Sequence, residues 1–238
     1  MKKILFITIT MLSVTALHAQ DKNKKAGIMN RTGDHFMLQI TSDHWLGVPD
    51  SIKSHMNGFA RGANVYVMLD KRFKSMPAMS VAFGLGVGTS NIYFKNMDID
   101  IKSKLNKLPF TDVQNANHFK KYKLTTVYLE VPVELRYTAN PERENKSVKA
   151  AIGFKVGTVL NVHTKGKTLL DNNGTQINSY TAKETNKGFF NSTRIAATAR
   201  VGYGNFSVFG SYQLNNIFKD GVAADMKLFQ IGICFSGL

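Results

Sequence analysis

Apolar and polar residues alternate with a period of two along most of this chain, in runs of about ten, the spacing of a strand with two unlike faces. Phe36, Leu38 and Ile40 open the series, followed by Ala63 to Leu69 and Val81 to Val87. The longest run takes Val127, Leu129, Val131, Val133, Leu135 and Tyr137 on one face, with Tyr128, Glu130, Pro132, Glu134 and Arg136 on the other. Val148 to Leu160, Ile195 to Tyr203, Phe206 to Leu214 and Phe229 to Phe235 complete eight predicted strands. Beyond residue 30 no stretch is long and apolar enough for a transmembrane helix.

Periodicity alone fits either a soluble sandwich, apolar face inward, or a transmembrane barrel, apolar face toward lipid. Three features favour the barrel. Long gaps at 43–60, 95–122 and 163–189 alternate with short ones at 70–77, 138–147 and Gly204-Asn205, as in a meander crossing a membrane. Gly84, Gly86, Gly88, Gly153 and Gly157 lie on the polar face, where a narrow lumen needs small residues. Phe36, Tyr93, Phe94, Tyr137, Tyr203, Phe206, Phe218 and Phe235 sit near strand ends, where lipid–water interfaces place rings. The expectation is an all-β fold, an eight-stranded antiparallel up-and-down transmembrane β-barrel over residues 33–238. Pro132 lacks a ladder donor, so a bulge is expected there, or a position beyond the hydrocarbon.

Residues 1–19 read as a secretory signal: Lys2 and Lys3, then an apolar run from Ile4 to Leu17, then Ala19 for cleavage. A short lead, 20–32, precedes the barrel. Export by the Sec route to a Gram-negative outer membrane follows. Hydrophobic residues make up 43% of the 238, too many for a disordered chain. One cysteine, Cys234, excludes an internal disulfide framework and a cysteine zinc cluster. The formal charge of +15, or +13 without Lys2 and Lys3, would suggest nucleic acid in a cytoplasmic protein. An exported chain meets anionic lipid head groups instead.

The segment Val127-Tyr128-Leu129-Glu130-Val131-Pro132-Val133-Glu134-Leu135-Arg136-Tyr137 resembles the YLEIP-then-apolar-KY segment of small Bacteroidota outer-membrane barrels, the PorT-like outer membrane β-barrel domain family. The glycine-alternating strand Phe83 to Gly88 and the Ala19-Gln20 end of the signal are similar to the same group. The resemblance implies an outer-membrane barrel with no agreed catalytic residues, one branch being associated with protein secretion. It also makes Pro132 a family feature.

Six charged residues are expected to point into the lumen: Glu130, Glu134 and Arg136 from strand four, Lys155 from strand five, Arg194 and Arg200 from strand six. A network among them would offset the desolvation of isolated charges, as a structural plug. Paired carboxylates for acid–base work are disfavoured, because residues i and i+4 on a strand lie about 13 Å apart. A lipid A enzyme would need a histidine with a serine and an acidic partner, such as His163 with Ser192 or Glu184. No spacing distinguishes His35, His44, His55, His118 or His163, and HExxH is absent. No catalytic residue, metal or cofactor is assigned.

The third gap is the most distinctive loop. Lys95, Lys102, Lys104, Lys107, Lys120, Lys121 and Lys123 outnumber Asp98, Asp100 and Asp112, with Ile99, Ile101, Leu105, Leu108, Phe110 and Phe119 interleaved. Lys102, Lys104, Lys107, Lys120 and Lys121 are candidates for contact with lipopolysaccharide phosphates or a partner. The sequence thus predicts a monomer with a structural or surface-interaction role in contact with outer-membrane lipid. A component of a secretion or envelope-assembly machine is the alternative, and a lipid A modifying enzyme the third.

Overall fold

A computed structural model describes residues 36–237. The expected signal at 1–19 and lead at 20–32 lie outside them. Among the described residues there are eleven strands: β1 (Phe36–Leu46), β2 (Arg61–Arg72), β3 (Met79–Phe94), β4 (Met97–Ile99), β5 (Phe110–Asp112), β6 (His118–Thr138), β7 (Val148–Leu170), β8 (Gln176–Thr185), β9 (Thr193–Tyr203), β10 (Phe206–Gln213) and β11 (Lys227–Ser236). Eight of them form a closed antiparallel ring, β1-β2-β3-β6-β7-β9-β10-β11, in which β11 pairs back onto β1. Closure satisfies every edge, which a lipid phase demands.

The side chains follow the period. Outward positions such as Ile40, Val67, Leu85, Val131, Phe154, Val208 and Ile233 are exposed, while Gln39, Asn64, Glu130, Lys155, Arg194 and Gln230 are buried inside. This inverts a water-soluble sheet and matches a lipid-facing girdle. On β6 the outward row Val127 to Tyr137 covers ten residue steps. That is about 33 Å along the strand, or roughly 25 Å across a membrane at a tilt of about 40°.

Several details depart from the sequence reading. Pro132 carries no bulge; it stays in register with Lys155, and only the pairing to β3 is interrupted, opposite Gly84 and Leu85. The missing N–H therefore costs one ladder contact on one side. The bulge falls instead at Leu160, opposite Val127 and Tyr128. All three of the long gaps are partly strand, β1 reaching Leu46. β6 begins at His118 and β7 runs to Leu170, and β7 continues upward paired with β8 beyond its contact with β9. The alternation reverses sense there, with Tyr122, Leu124 and Val162 turned inward and Lys121, Lys123 and Lys165 outward, so the lipid-facing pattern ends before the ladder does.

The two ends of the ring differ. Residues 73–78, 139–147 and 204–205 make the short turns, and Gly204 takes a left-handed φ of 59° at the tightest one. The other end carries four long connections, including a short helix, α1 (Asp50–Lys53), and the small β4–β5 hairpin. These connections are not loose. Trp45, Ile52, Phe94, Met97, Ile99, Ile101, Leu108, Phe190, Ile217, Phe218 and Met226 pack into an apolar cluster over the mouth of the barrel. Phe94 and Phe218 are thus cap residues rather than interface rings. Phe36, Tyr137, Tyr203 and Phe206 remain exposed at the short-turn end.

Candidate functional site

Inside the ring, the six lumen charges come together as two clusters stacked along β6. In the first, Glu130 pairs with Lys155 at 3.3 Å and Arg194 at 3.0 Å, and accepts a hydrogen bond from the Tyr66 hydroxyl. Gln230 links this cluster onward. Its carbonyl oxygen accepts from Arg194 at 2.8 Å, and its amide donates to Asp43 at 2.9 Å. The Arg194 guanidinium lies 5.4 Å from the centre of the Tyr128 ring. In the second, Glu134 accepts from Arg136 at 2.8 Å and from Arg200 at 3.2 Å. All six are buried.

Two glycines make the first cluster possible. A Cβ on Gly88 would stand 2.6 Å from a Glu130 carboxylate oxygen, and one on Gly157 would stand 2.8 Å from Glu130 Cγ. The small residues clear the volume that the glutamate occupies. The lumen is filled by side chains, as an eight-stranded barrel allows.

At the long-loop end the cap encloses a depression of about 670 Å³. Ile52, Met97, Leu108, Phe110 and Val222 give it apolar walls, with Lys107 and Asp112 at its edge. That size and composition suit a ligand group or a partner's side chains. Lys102, Lys104 and Lys107 are exposed around the crown. Lys120 and Lys121 belong to β6, and the period of the strand sends them to opposite faces. Ile99, Ile101 and Leu108 are buried under the crown; of the apolar residues interleaved with the loop lysines, Leu105 is the one left largely exposed.

The histidine constellation does not assemble. His163 hydrogen-bonds Asn161 at 2.8 Å and faces outward, whereas Glu184 pairs with Thr164 on the opposite face. His55 does meet a carboxylate, Asp112, at 3.6 Å. Its other ring nitrogen is taken by the Lys95 carbonyl oxygen at 3.0 Å, so no serine can occupy the third place of a triad. His163 lies beyond the lipid-facing row, and burial followed by Lys183, Lys123 and Lys165 holds its imidazole below the ordinary histidine range. The sequence does not show that lysine group, because its members come from three strands.

The chain belongs to the outer membrane protein β-barrel domain family, whose model matches residues 19–219. It is an outer-membrane protein, and in bacterial barrels of that membrane the long loops are the extracellular ones. Among solved structures it is similar to the attachment invasion locus protein Ail of Yersinia pestis, at 12% identity over 86% of this chain and 98% of that one, with a TM-score of 0.35. The same protein in complex with the heparin analogue sucrose octasulfate matches at 13% identity, with a TM-score again of 0.35. No curated protein matches the chain.

Proposed function

We propose that this barrel is a non-conducting platform for surface interaction, presenting its cap to a partner protein outside the cell. The observation that carries the reading is the contrast between a lumen closed by paired charges and a cap with its own apolar core and an open depression. Among the described residues the candidate histidines His55 and His163 are not joined to a serine and a carboxylate in a catalytic constellation. Recognition has a rigid surface, which lowers the ordering cost of binding. The fitting partner surface is acidic with an apolar side chain at its centre, complementary to Lys107 at the pocket and to the exposed Lys102 and Lys104 of the same connection. Such a protein reaches the outer membrane through Sec export and acts as a monomer, since the ring leaves no open edge within the girdle.

The test uses the mature protein in nanodiscs, with Leu105→Asp and Lys107→Glu changed together. Loss of binding to surface proteins of the producing cell, with the folded gel band intact, supports the reading. Equal binding by both proteins, or ion conductance in planar bilayers, counts against it. A second reading, a component of a PorT-like secretion or assembly machine, is favoured by the Glu130–Pro132 segment. It predicts a secretion defect when the chain is deleted, rescued by the wild type.

A further inference from the structure

Above the girdle, β3, β6, β7 and β8 rise as a four-stranded wall whose inner face packs on the cap through Ile92, Tyr122, Leu124 and Val162. The outer face is basic. Lys123, Lys165 and Lys183 stand directly opposite one another across β6, β7 and β8, and Lys121 is opposite Lys167 in the next row. Like charges in directly opposed positions destabilise a sheet. Among the described residues none of the five has a carboxylate within ion-pair distance. Arg61 extends the patch on the β3 side, where it and Lys123 lie 5.7 and 5.8 Å from the centre of the Tyr93 ring.

The height of the patch is informative. Lys123 is four residues above Val127, the top of the lipid-facing row on β6. With strand rise and tilt this places it roughly 10 Å beyond the hydrocarbon edge, at the level of head groups. Tyr93, Lys121, Tyr122, Lys123, Lys165 and Lys167 line a depression of about 210 Å³ there. The patch is also one-sided. Around the ring the corresponding outward positions on β1, β10 and β11 are Ser42, His44, Tyr212, Lys227 and Phe229, which carry one lysine among them. A general cationic collar would have no reason for that asymmetry.

We propose that this face binds phosphate groups on the sugar head group of an outer-leaflet glycolipid, held by the row Lys123, Lys165 and Lys183 with Lys121 and Lys167 above. The inference needs only the outer-membrane placement and is independent of the cap's role as a docking surface. A bound phosphate removes the repulsion that the empty row carries, so the lysines are tolerated because the membrane supplies their partner. The site lies on the barrel wall, separate from the crown lysines Lys102, Lys104 and Lys107.

The experiment places the mature protein in phosphatidylcholine nanodiscs with and without diphosphoryl lipid A. Thermal unfolding and the NMR titration of His163 are the two readouts. Wild type should unfold at a higher temperature, and His163 should titrate at higher pH, when lipid A is present. Lys123→Gln/Lys165→Gln/Lys183→Gln should be at least as stable as wild type without lipid A and should lose both responses. Its apparent lipid A affinity should fall on the order of a hundredfold, about a factor of five per lysine near an anionic surface. A Lys102→Gln/Lys104→Gln/Lys107→Gln control should respond as wild type does. Equal responses from wild type and the wall variant overturn the proposal, as does loss of response in the control alone. So does a response of His163 to a soluble polysulfated glycan with none to lipid A.

Discussion

Glu130 is the residue on which the lumen turns, because Lys155, Arg194 and Tyr66 all address its carboxylate. Replacing it with glutamine leaves two buried cations without their counter-charge. The expected loss is about 3–5 kcal/mol in denaturant unfolding from micelles, with part recovered by Glu130→Gln/Lys155→Met. Gly157→Ala attacks the same site sterically, since its new Cβ would meet both Glu130 Cγ and the Leu129 carbonyl oxygen at 2.8 Å. About 1–3 kcal/mol of overpacking should result. His163 reports the opposite kind of environment, one with excess positive charge. Its folded-state value lies below that of the unfolded chain. Its contribution to stability is therefore present above the ordinary histidine range and is lost as pH falls through the folded value. Lys183→Gln should move the NMR titration of His163 to higher pH; an unmoved titration would show that burial alone sets it.

At the scale of elements, the long connections act as a folded unit rather than as separate loops. Trp45 is the single tryptophan and packs edge-on against Phe94 and Phe218 at 5.8 and 5.7 Å. Its fluorescence is a direct reading of the cap. Phe218→Ala should red-shift the emission and destabilise the cap by about 3–5 kcal/mol, while the barrel keeps its folded gel mobility. Deleting residues 97–119 removes Met97, Ile99, Ile101 and Leu108 from the cluster. That deletion should unmask Trp45 as well as remove the crown lysines Lys102, Lys104 and Lys107, so it cannot isolate a single recognition loop. Point changes at Leu105 and Lys107 avoid the problem because both side chains are exposed.

At the scale of the molecule, an apolar girdle roughly 25 Å tall bounds a filled lumen, with a basic wall on one side above it. The closed ring predicts a heat-dependent shift in gel mobility in the outer-membrane fraction. Reconstituted in planar bilayers, the protein should pass no measurable current, because Glu130, Lys155 and Arg194 fill the cross-section they share. Current that grows on Glu130→Gln would show that the ion pairs, rather than packing, keep the lumen shut.

The period-two pattern determined the ring. Each lipid-facing strand must carry apolar groups on one face and small or polar groups on the other, so eight runs and their turns are written locally from Phe36 to Phe235. The inward faces of Glu130, Glu134, Arg136, Lys155, Arg194 and Arg200 follow from the same parity. Their grouping into two clusters does not, because register between strands sets which charges meet. The upper halves of β6 and β7 are hidden for a related reason: above the bilayer the apolar face turns inward onto the cap, through Tyr122, Leu124 and Val162, and the lipid-facing pattern ends. Ile99, Ile101 and Phe218 looked like surface or interface groups until the four connections folded over one another. The lysine row depended most on tertiary structure, since Lys123, Lys165 and Lys183 are far apart in sequence and become neighbours only through hydrogen-bonded pairing of three strands.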